Sequence, residues 1–236
     1  MQKADLNRLP FAGRSSPSDN IPEPTTMPVN KEAWLAQLHI SNFHNAFFEY
    51  RDVRACTPAK NILIVGPGQG LELTVFKSRG YNVTTYDIDG DFKPDHLGSV
   101  HDMSCFASKQ FDVVIASHVL EHMSFSYFDT ALKELARVAH YALIYLPYAG
   151  RHIDLGVILY QGSKERHLRV NIAPFWRKPS LTEARYASGQ HFWEIGLSGC
   201  SKRTIRQAIE KRFEVLDAYQ NPYWMVSMNF VLKSNE

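Results

Sequence analysis

The stretch NILIVGPGQGLELTVF, residues 61–76, sets an unbroken apolar run against a loop holding three glycines and a proline. Such a run reads as a strand buried on both faces, and glycines directly behind it let the backbone turn tightly and approach a ligand. The helix expected to follow offers free N–H groups and about half a positive charge at its N-terminus, so the loop has the make-up of a nucleotide-type cradle. Gly66, Gly68 and Gly70 are spaced G-x-G-x-G, with Pro67 inside the turn. A dinucleotide fingerprint requires G-x-G-x-x-G, and Leu71 stands where its third glycine would be, which weakens an NAD reading.

Past the loop, short apolar runs alternate with amphipathic segments. YNVTTYD (81–87), FDVVIAS (111–117) and YALIYLP (141–147) read as strands, while residues 69–79 and Tyr127–Ala139 read as helices. Strands separated by helices imply a mostly parallel sheet covered on both faces. SKRTIRQAIEKR (201–212) reads as a later helix with Ser201 as N-cap. In residues 213–233, two strands meet at Asn221-Pro222, too short a join for a crossover, so the last pair is expected to be antiparallel. The fold class is therefore α/β and Rossmann-like, with an antiparallel C-terminal strand pair. Asp87 ends the second strand roughly 20 residues beyond the loop, where an acid can accept from both ribose hydroxyls.

Composition excludes several classes. With 236 residues the chain suits one decorated domain. A net charge of +2 is too mild to argue for nucleic acid. No apolar stretch approaches the ~20 residues of a membrane span. Three scattered cysteines, Cys56, Cys105 and Cys200, lack zinc-ligand spacing, so no metal is expected and a reducing, cytoplasmic setting is. Residues 1–30, rich in Pro, Ser and polar groups, read as a flexible tail. From Lys31 to about Val53, Trp34, Leu35, Leu38, Ile40, Phe43, Phe47 and Phe48 recur at helical spacing, so residues 31–55 are expected to form a helical cover for a single domain spanning 31–236.

Residues 61–147 resemble the class I methyltransferases that use S-adenosyl-L-methionine. VGPGQG matches the glycine loop, TTYDID the ribose carboxylate, SVHDM the adenine-facing segment, and FDVVIASHVLEHM the fourth strand and its exit, a pattern of the small-molecule branch. DGDFKPDHLGSV, LKELARVAHYALIYLP and QHFWEIG are more narrowly similar to methyltransferases encoded with cell-surface polysaccharide genes. The resemblance implies S-adenosyl-L-methionine as cofactor, held by Gly66, Pro67, Gly68, Gly70, Asp87, Ile88, Asp102, Met103, Ser117 and His118. Asp102 could equally cap its turn, and Met103 could equally be core. Many members carry Glu or Asp two residues before the first loop glycine; Ile64 stands there, so the methionine end of the cofactor is expected to be anchored differently.

Transfer of a methyl group from a sulfonium is an in-line displacement, and a hydroxyl acceptor must also lose a proton. Histidine suits that task. His122, at the exit of the fourth strand, and His191, in QHFWEIG, are the candidate bases. Residues 148–199 form a connection far longer than usual, basic and aromatic, and are read as the acceptor-side insertion. Arg166, Arg169, Trp193 and Glu194 are its candidate acceptor contacts. The expected activity is methyl transfer to a small polar acceptor, a hydroxyl of a sugar or related metabolite. A nucleic-acid methyltransferase and a catalytically silent cofactor-binding module stand as alternatives, and a homo-oligomer remains open. Against nucleic acid, the amino-methylating N-P-P-Y signature is missing after the fourth strand, where the chain has SHVLEH.

Overall fold

The computed structural model describes residues 39–56, 58–149, 153–162, 164–172, 191–197, 199–224 and 226–236. The expected tail, Trp34, Leu35, Leu38 and residues 173–190 lie outside the described residues.

The chain opens with α1 (Ile40–Ala55), followed by β1 (Asn61–Val65), α2 (Leu71–Ser78), β2 (Asn82–Asp87) and the short β3 (His96–Leu97). Then come β4 (Phe111–Ser117), α3 (Phe128–Val138) and β5 (Ala139–Pro147). A hairpin, β6 (Ile153–Gln161) and β7 (Lys164–Ile172), precedes α4 (Lys202–Glu210), β8 (Phe213–Gln220) and β9 (Ser227–Ser234). Seven strands form one sheet in the order β3-β2-β1-β4-β5-β9-β8, and among the described residues β6 and β7 form a separate two-stranded sheet. Strands β1 to β5 run parallel, whereas β9 runs antiparallel to both β5 and β8. The expected Rossmann-like sheet with an antiparallel C-terminal pair is the one observed. Two elements gave no strand signal in the sequence reading: β3 is two residues long, and β6–β7 lies in the insertion.

Burial explains the apolar runs. Ile62 and Ile64 of β1 face one core, and Leu63 and Val65 face the other, so consecutive residues are all apolar because both faces of the strand are covered. Helix α3 covers one face with Phe128, Leu132, Leu135 and Ala136 at helical spacing. Ser201 caps α4, its Oγ accepting from the Thr204 N–H at 3.1 Å.

Helix α1 departs from the expected pattern. Ile40, Phe43 and Phe47 of the apolar stripe are exposed, while Glu49 and Asp52 are buried beside Ala46, Phe48 and Val53. The physical reason at Asp52 is a dense set of donors. Its Oδ2 accepts from the hydroxyls of Tyr145 on β5 and Tyr219 on β8, each at 2.6 Å, and its Oδ1 accepts from Arg51 Nε and Nη2. Burial and the adjacent Asp52 carboxylate push both tyrosines well above their ordinary values, so the hydroxyls stay protonated and donate. This polar clasp ties α1 across the sheet. Asp52→Ala leaves two buried hydroxyls without their acceptor, at about 1–3 kcal/mol each. We expect urea denaturation to show a loss of about 2–5 kcal/mol, shrinking when Tyr145→Phe and Tyr219→Phe are combined with it. An unchanged midpoint would mean that α1 is held by its apolar contacts alone.

Candidate active site

A cleft of about 480 Å³ opens where the loops leaving β1 and β4 diverge. Open α/β sheets place ligands at this kind of position, beyond the carboxyl ends of strands where the strand order reverses. Gly66, Pro67, Gly68, Asp87, Ile88, Ser117 and His118 all line it, as do His122 and His191.

The glycine loop adopts a conformation that side chains resist. Gly66, Gly68 and Gly70 all have positive φ, at 67°, 48° and 72°. A Cβ on Gly66 would also meet Val119 Cγ2 at 2.6 Å, so the loop and the β4 exit touch at a position with room for hydrogen only. Gly70 serves as N-cap of α2 in the left-handed conformation, and its N–H donates to the Pro67 carbonyl; it is outside the cleft wall. Across the cleft, Asp87 Oδ1 accepts from the Asp89 N–H at 2.8 Å, which fixes the carboxylate at the end of β2.

Asp102 and Met103 do not line the cleft. Asp102 is exposed, and its Oδ1 accepts from the Ser104 N–H, a turn-capping contact whose side-chain and backbone hydrogen bonds lower its pKa. Met103 is fully buried in the core, its N–H donating to Glu134.

Helix α1 supplies what the glycine loop lacks. Asn42, Asn45 and Glu49 line the cleft from one side and Glu72 from the start of α2, four residues that the sequence reading passed over. Glu49 is 2% exposed, and its Oε2 has no hydrogen-bond partner. Burial, with the neighbouring Glu72 carboxyl, pushes Glu49 up to about 8, although the Ser117 hydroxyl acts in the opposite direction. Burial raises Glu72 as well. The available signal was an acid set among aromatic residues in FFEYRD, which apolar periodicity alone assigns to the solvent side.

The cleft mouth is built by the β4 exit and the segment 191–197. His118, at φ 55°, turns the chain as its N–H donates to the Tyr145 carbonyl, and its Nε2 lies 3.0 Å from Ser227 Oγ. The Phe192 N–H donates to the Glu121 carbonyl at 2.8 Å, joining the two segments. Glu121 is fully buried, with His118 Nδ1 3.3 Å and His191 Nε2 3.9 Å from its Oε1. Burial by itself would raise the Glu121 carboxyl; the contact with His118 and the charges that His122, His118 and His191 can carry hold it below the usual value. The His122 and His191 rings lie 5.0 Å apart, and His191 Nδ1 sits 2.8 Å from Glu194 Oε1.

The other insertion residues are placed differently. Trp193 is buried, its Nε1 donating to the Met123 carbonyl and its ring packed edge-on against Phe125 and Phe128, so it belongs to the core and presents no face to the cleft. Glu194 is buried behind His191. Arg166 and Arg169 stand opposite Leu159 and Gly156 in the hairpin, and their side chains lie outside the described residues.

Comparison with known proteins is consistent with this geometry. Residues 63–141 match the family model described as a methyltransferase domain. A protein of Pyrococcus horikoshii superposes with a TM-score of 0.55 at 12% identity, covering 85% of this chain and 93% of its own. The N-methyltransferase NodS from Bradyrhizobium japonicum, solved with S-adenosyl-L-homocysteine, gives 0.55 at 10% identity, covering 87% and 97%. The glycopeptide N-methyltransferase MtfA gives 0.50 at 12% identity, covering 86% and 96%. No curated protein sequence matches the chain. Residues 63–141 thus match a methyltransferase domain, and the chain has the fold of these solved structures.

The glycine loop gives a structural test. Gly66→Ala meets both the Val119 clash and the positive φ, which for a residue with a Cβ costs about 1–2 kcal/mol. Adding Val119→Ala should recover the clash and leave that residual strain, read by denaturation of both variants. Full recovery in the double variant would mean that the loop relaxes out of the left-handed conformation.

Proposed function

We propose that the protein transfers the methyl group of S-adenosyl-L-methionine to a small polar acceptor. The leading acceptor is a hydroxyl of a sugar or related metabolite in cell-surface polysaccharide synthesis, in a cytoplasmic setting. The observation that carries this reading is a single cleft lined at one end by the glycine loop, Asp87 and the buried Glu49, and at the other by histidines. The narrower acceptor class is supported by the resemblance of DGDFKPDHLGSV and QHFWEIG. Cys56, Cys105 and Cys200 are unpaired, in keeping with a reducing compartment, and no helix among the described residues is long and apolar enough to cross a membrane.

The cofactor fits residues present here. Asp87 suits the two ribose hydroxyls, and the side-chain-free backbone at Gly66 and Gly68 suits close approach. The buried Glu49 and the half-buried Glu72 form an acidic end of the cleft with no cationic partner among the described residues, which suits the ammonium of the methionine moiety and would compensate for Ile64. When bound, the cofactor supplies an electrophilic methyl group on a sulfonium. The chain's own part is to hold the acceptor in line at the histidine mouth, to exclude water, and to favour loss of the acceptor proton there. Orientation alone is worth roughly 7–11 kcal/mol in such reactions.

Calorimetry with S-adenosyl-L-homocysteine tests the cofactor site, and NAD should not bind. Asp87→Ala should weaken binding by up to about 3–6 kcal/mol, because two hydrogen bonds to a charged group, each about 1.5–3 kcal/mol, are lost. Unchanged affinity would remove Asp87 from the site. Methylation of nucleotide sugars, amino sugars and their hydroxylated relatives, followed by mass spectrometry, tests the acceptor class; methylation of RNA or DNA instead would overturn it.

The buried acid gives a pH dependence of definite sign. A carboxyl raised in the folded state stabilises the fold fully below its unfolded value near 4.5, and that contribution is lost as pH rises towards 8. An adjacent ammonium favours the carboxylate, so binding should release a proton at neutral pH. Affinity should therefore rise with pH up to about 8 and then level off, and Glu49→Gln should flatten the profile. A flat profile in the unaltered chain would detach Glu49 from the ammonium.

A further inference from the structure

Glu121 stands out among the described buried acids because neither carboxylate oxygen has a hydrogen-bond partner. Its side chain is fully buried. His118 Nδ1 comes within 3.3 Å of Oε1 but is poorly aligned for a hydrogen bond, and His191 Nε2 stands off at 3.9 Å. Charge-assisted N–H···O contacts usually close to about 2.7–2.9 Å. An ordinary buried ion pair would have done so here. Instead, Glu121, His122 and His191 offer one ligand atom each, all within 4.8 Å of one another.

We propose that Glu121, His122 and His191 bind a divalent transition-metal ion at the mouth of the cleft, with open coordination positions facing the acceptor. Two ligand atoms held at about 2.0–2.2 Å from a tetrahedral ion stand about 3.4 Å apart, so the present spacing closes onto an ion with side-chain movements of about 1 Å. The donor set, two imidazoles and one carboxylate, suits zinc, iron, cobalt or manganese rather than magnesium or calcium. Three protein ligands with room for a fourth is the arrangement of catalytic rather than structural sites.

The surroundings match that assignment. Glu194 is 1% exposed and holds His191 Nδ1 at 2.8 Å, leaving Nε2 turned to Glu121. A carboxylate behind a ligating histidine fixes the ring and its tautomer in just this way. The Phe192 N–H to Glu121 carbonyl bond locks the two ligand-bearing segments together, although 69 positions separate His122 from His191 in the chain. His122 and His191 both line the cleft, so the open positions of the ion face its interior.

This inference rests on the methyl-transfer reading and deepens it. A hydroxyl coordinated to the ion becomes more acidic and gives its proton to solvent, leaving a nucleophilic oxygen in the cleft. His122 and His191 would then act as ligands and not as the free bases expected from the sequence. Scattered cysteines gave no zinc spacing, and the sequence reading expected no metal; the ligands come instead from LEH and QHF, brought together only by folding.

The test uses the full chain without an affinity tag, stripped with a chelator and titrated with Co²⁺. We expect one equivalent bound per chain, seen by calorimetry and by visible absorption without a thiolate band, which sets the site apart from the cysteines. His191→Ala should weaken Co²⁺ binding at least about 100-fold, and Glu194→Gln about 10–100-fold, with melting curves showing both variants folded. Binding of S-adenosyl-L-homocysteine to the metal-free chain is measured in parallel. If that ligand binds while Co²⁺ does not, the metal site is overturned and the methyltransferase reading stands. Stoichiometric Co²⁺ binding that survives His191→Ala unchanged also overturns it. If Co²⁺ binds as expected but the homocysteine ligand does not, the cofactor reading fails and the metal site stands.

Discussion

The pairing of β1 with β4, from Ile62 opposite Val113 to Val65 opposite Ala116, sets the position of everything that follows. These strands are neighbours in space although β2 and β3 intervene in the chain, so the strand order reverses between them. Their carboxyl ends therefore release two loops that diverge. One is the glycine loop; the other carries Ser117, His118, Glu121 and His122. The contact of Gly66 with Val119 is the point at which these loops still touch, and the cleft begins beyond it. Because both strands are buried on both faces, sliding either one would move a full set of apolar side chains. The two halves of the site are thus held in register by the core.

Buried carboxylates divide this structure more clearly than its apolar residues do. Asp52 is surrounded by donors from Tyr145, Tyr219 and Arg51, and its charge is satisfied by the fold itself. Glu49 lies one helical turn away on the same helix and is also buried, but its Oε2 has no such partner. Glu121 repeats the contrast beside Glu194, which has His191 at hydrogen-bond distance. Burial of a charged group without compensation is expensive, so a fold that tolerates it must gain a partner from elsewhere or keep the group neutral. The satisfied acids fasten α1 and segment 191–197 in place. Of the unsatisfied ones, Glu49 lines the cleft, and Glu121 lies behind His118 and His191, which line it.

The same distinction explains what could be read from the sequence. NILIVG, FDVVIAS and YALIYLP declare themselves because apolar runs and glycines are local signals, and Asp87 is found by its distance from the glycine loop. The apolar spacing predicts a helical cover over 31–55, of which 40–55 is helical among the described residues, but it does not predict the buried face, because Glu49 and Asp52 are inside for reasons that lie on β5, β8 and the cleft rather than on the helix. Trp193 reads as an acceptor contact, since composition does not reveal that it packs against Phe125 and Phe128. Asp102 and Met103 sit where the motif expects them in sequence, but their side chains serve a turn and the core. His122 and His191 were singled out separately; their proximity depends on the Phe192 to Glu121 contact, which no spacing rule encodes.

An arrangement of this kind separates stability from chemistry along the chain. The proposed cofactor end is built from backbone conformation and from helix and strand ends, so its geometry follows directly from the fold. The opposite end, the proposed acceptor end, is built from side chains on a loop and on a segment that follows the β6–β7 hairpin, and it depends on a few polar contacts for its shape. Ligands that supply positive charge to Glu49 or Glu121 bind the native state and not the unfolded chain, and so they stabilise the fold by mass action. On the proposed reading, the molecules bound at the cleft would supply positive charge beside these acids and so couple occupancy of the site to the integrity of the loops that form it.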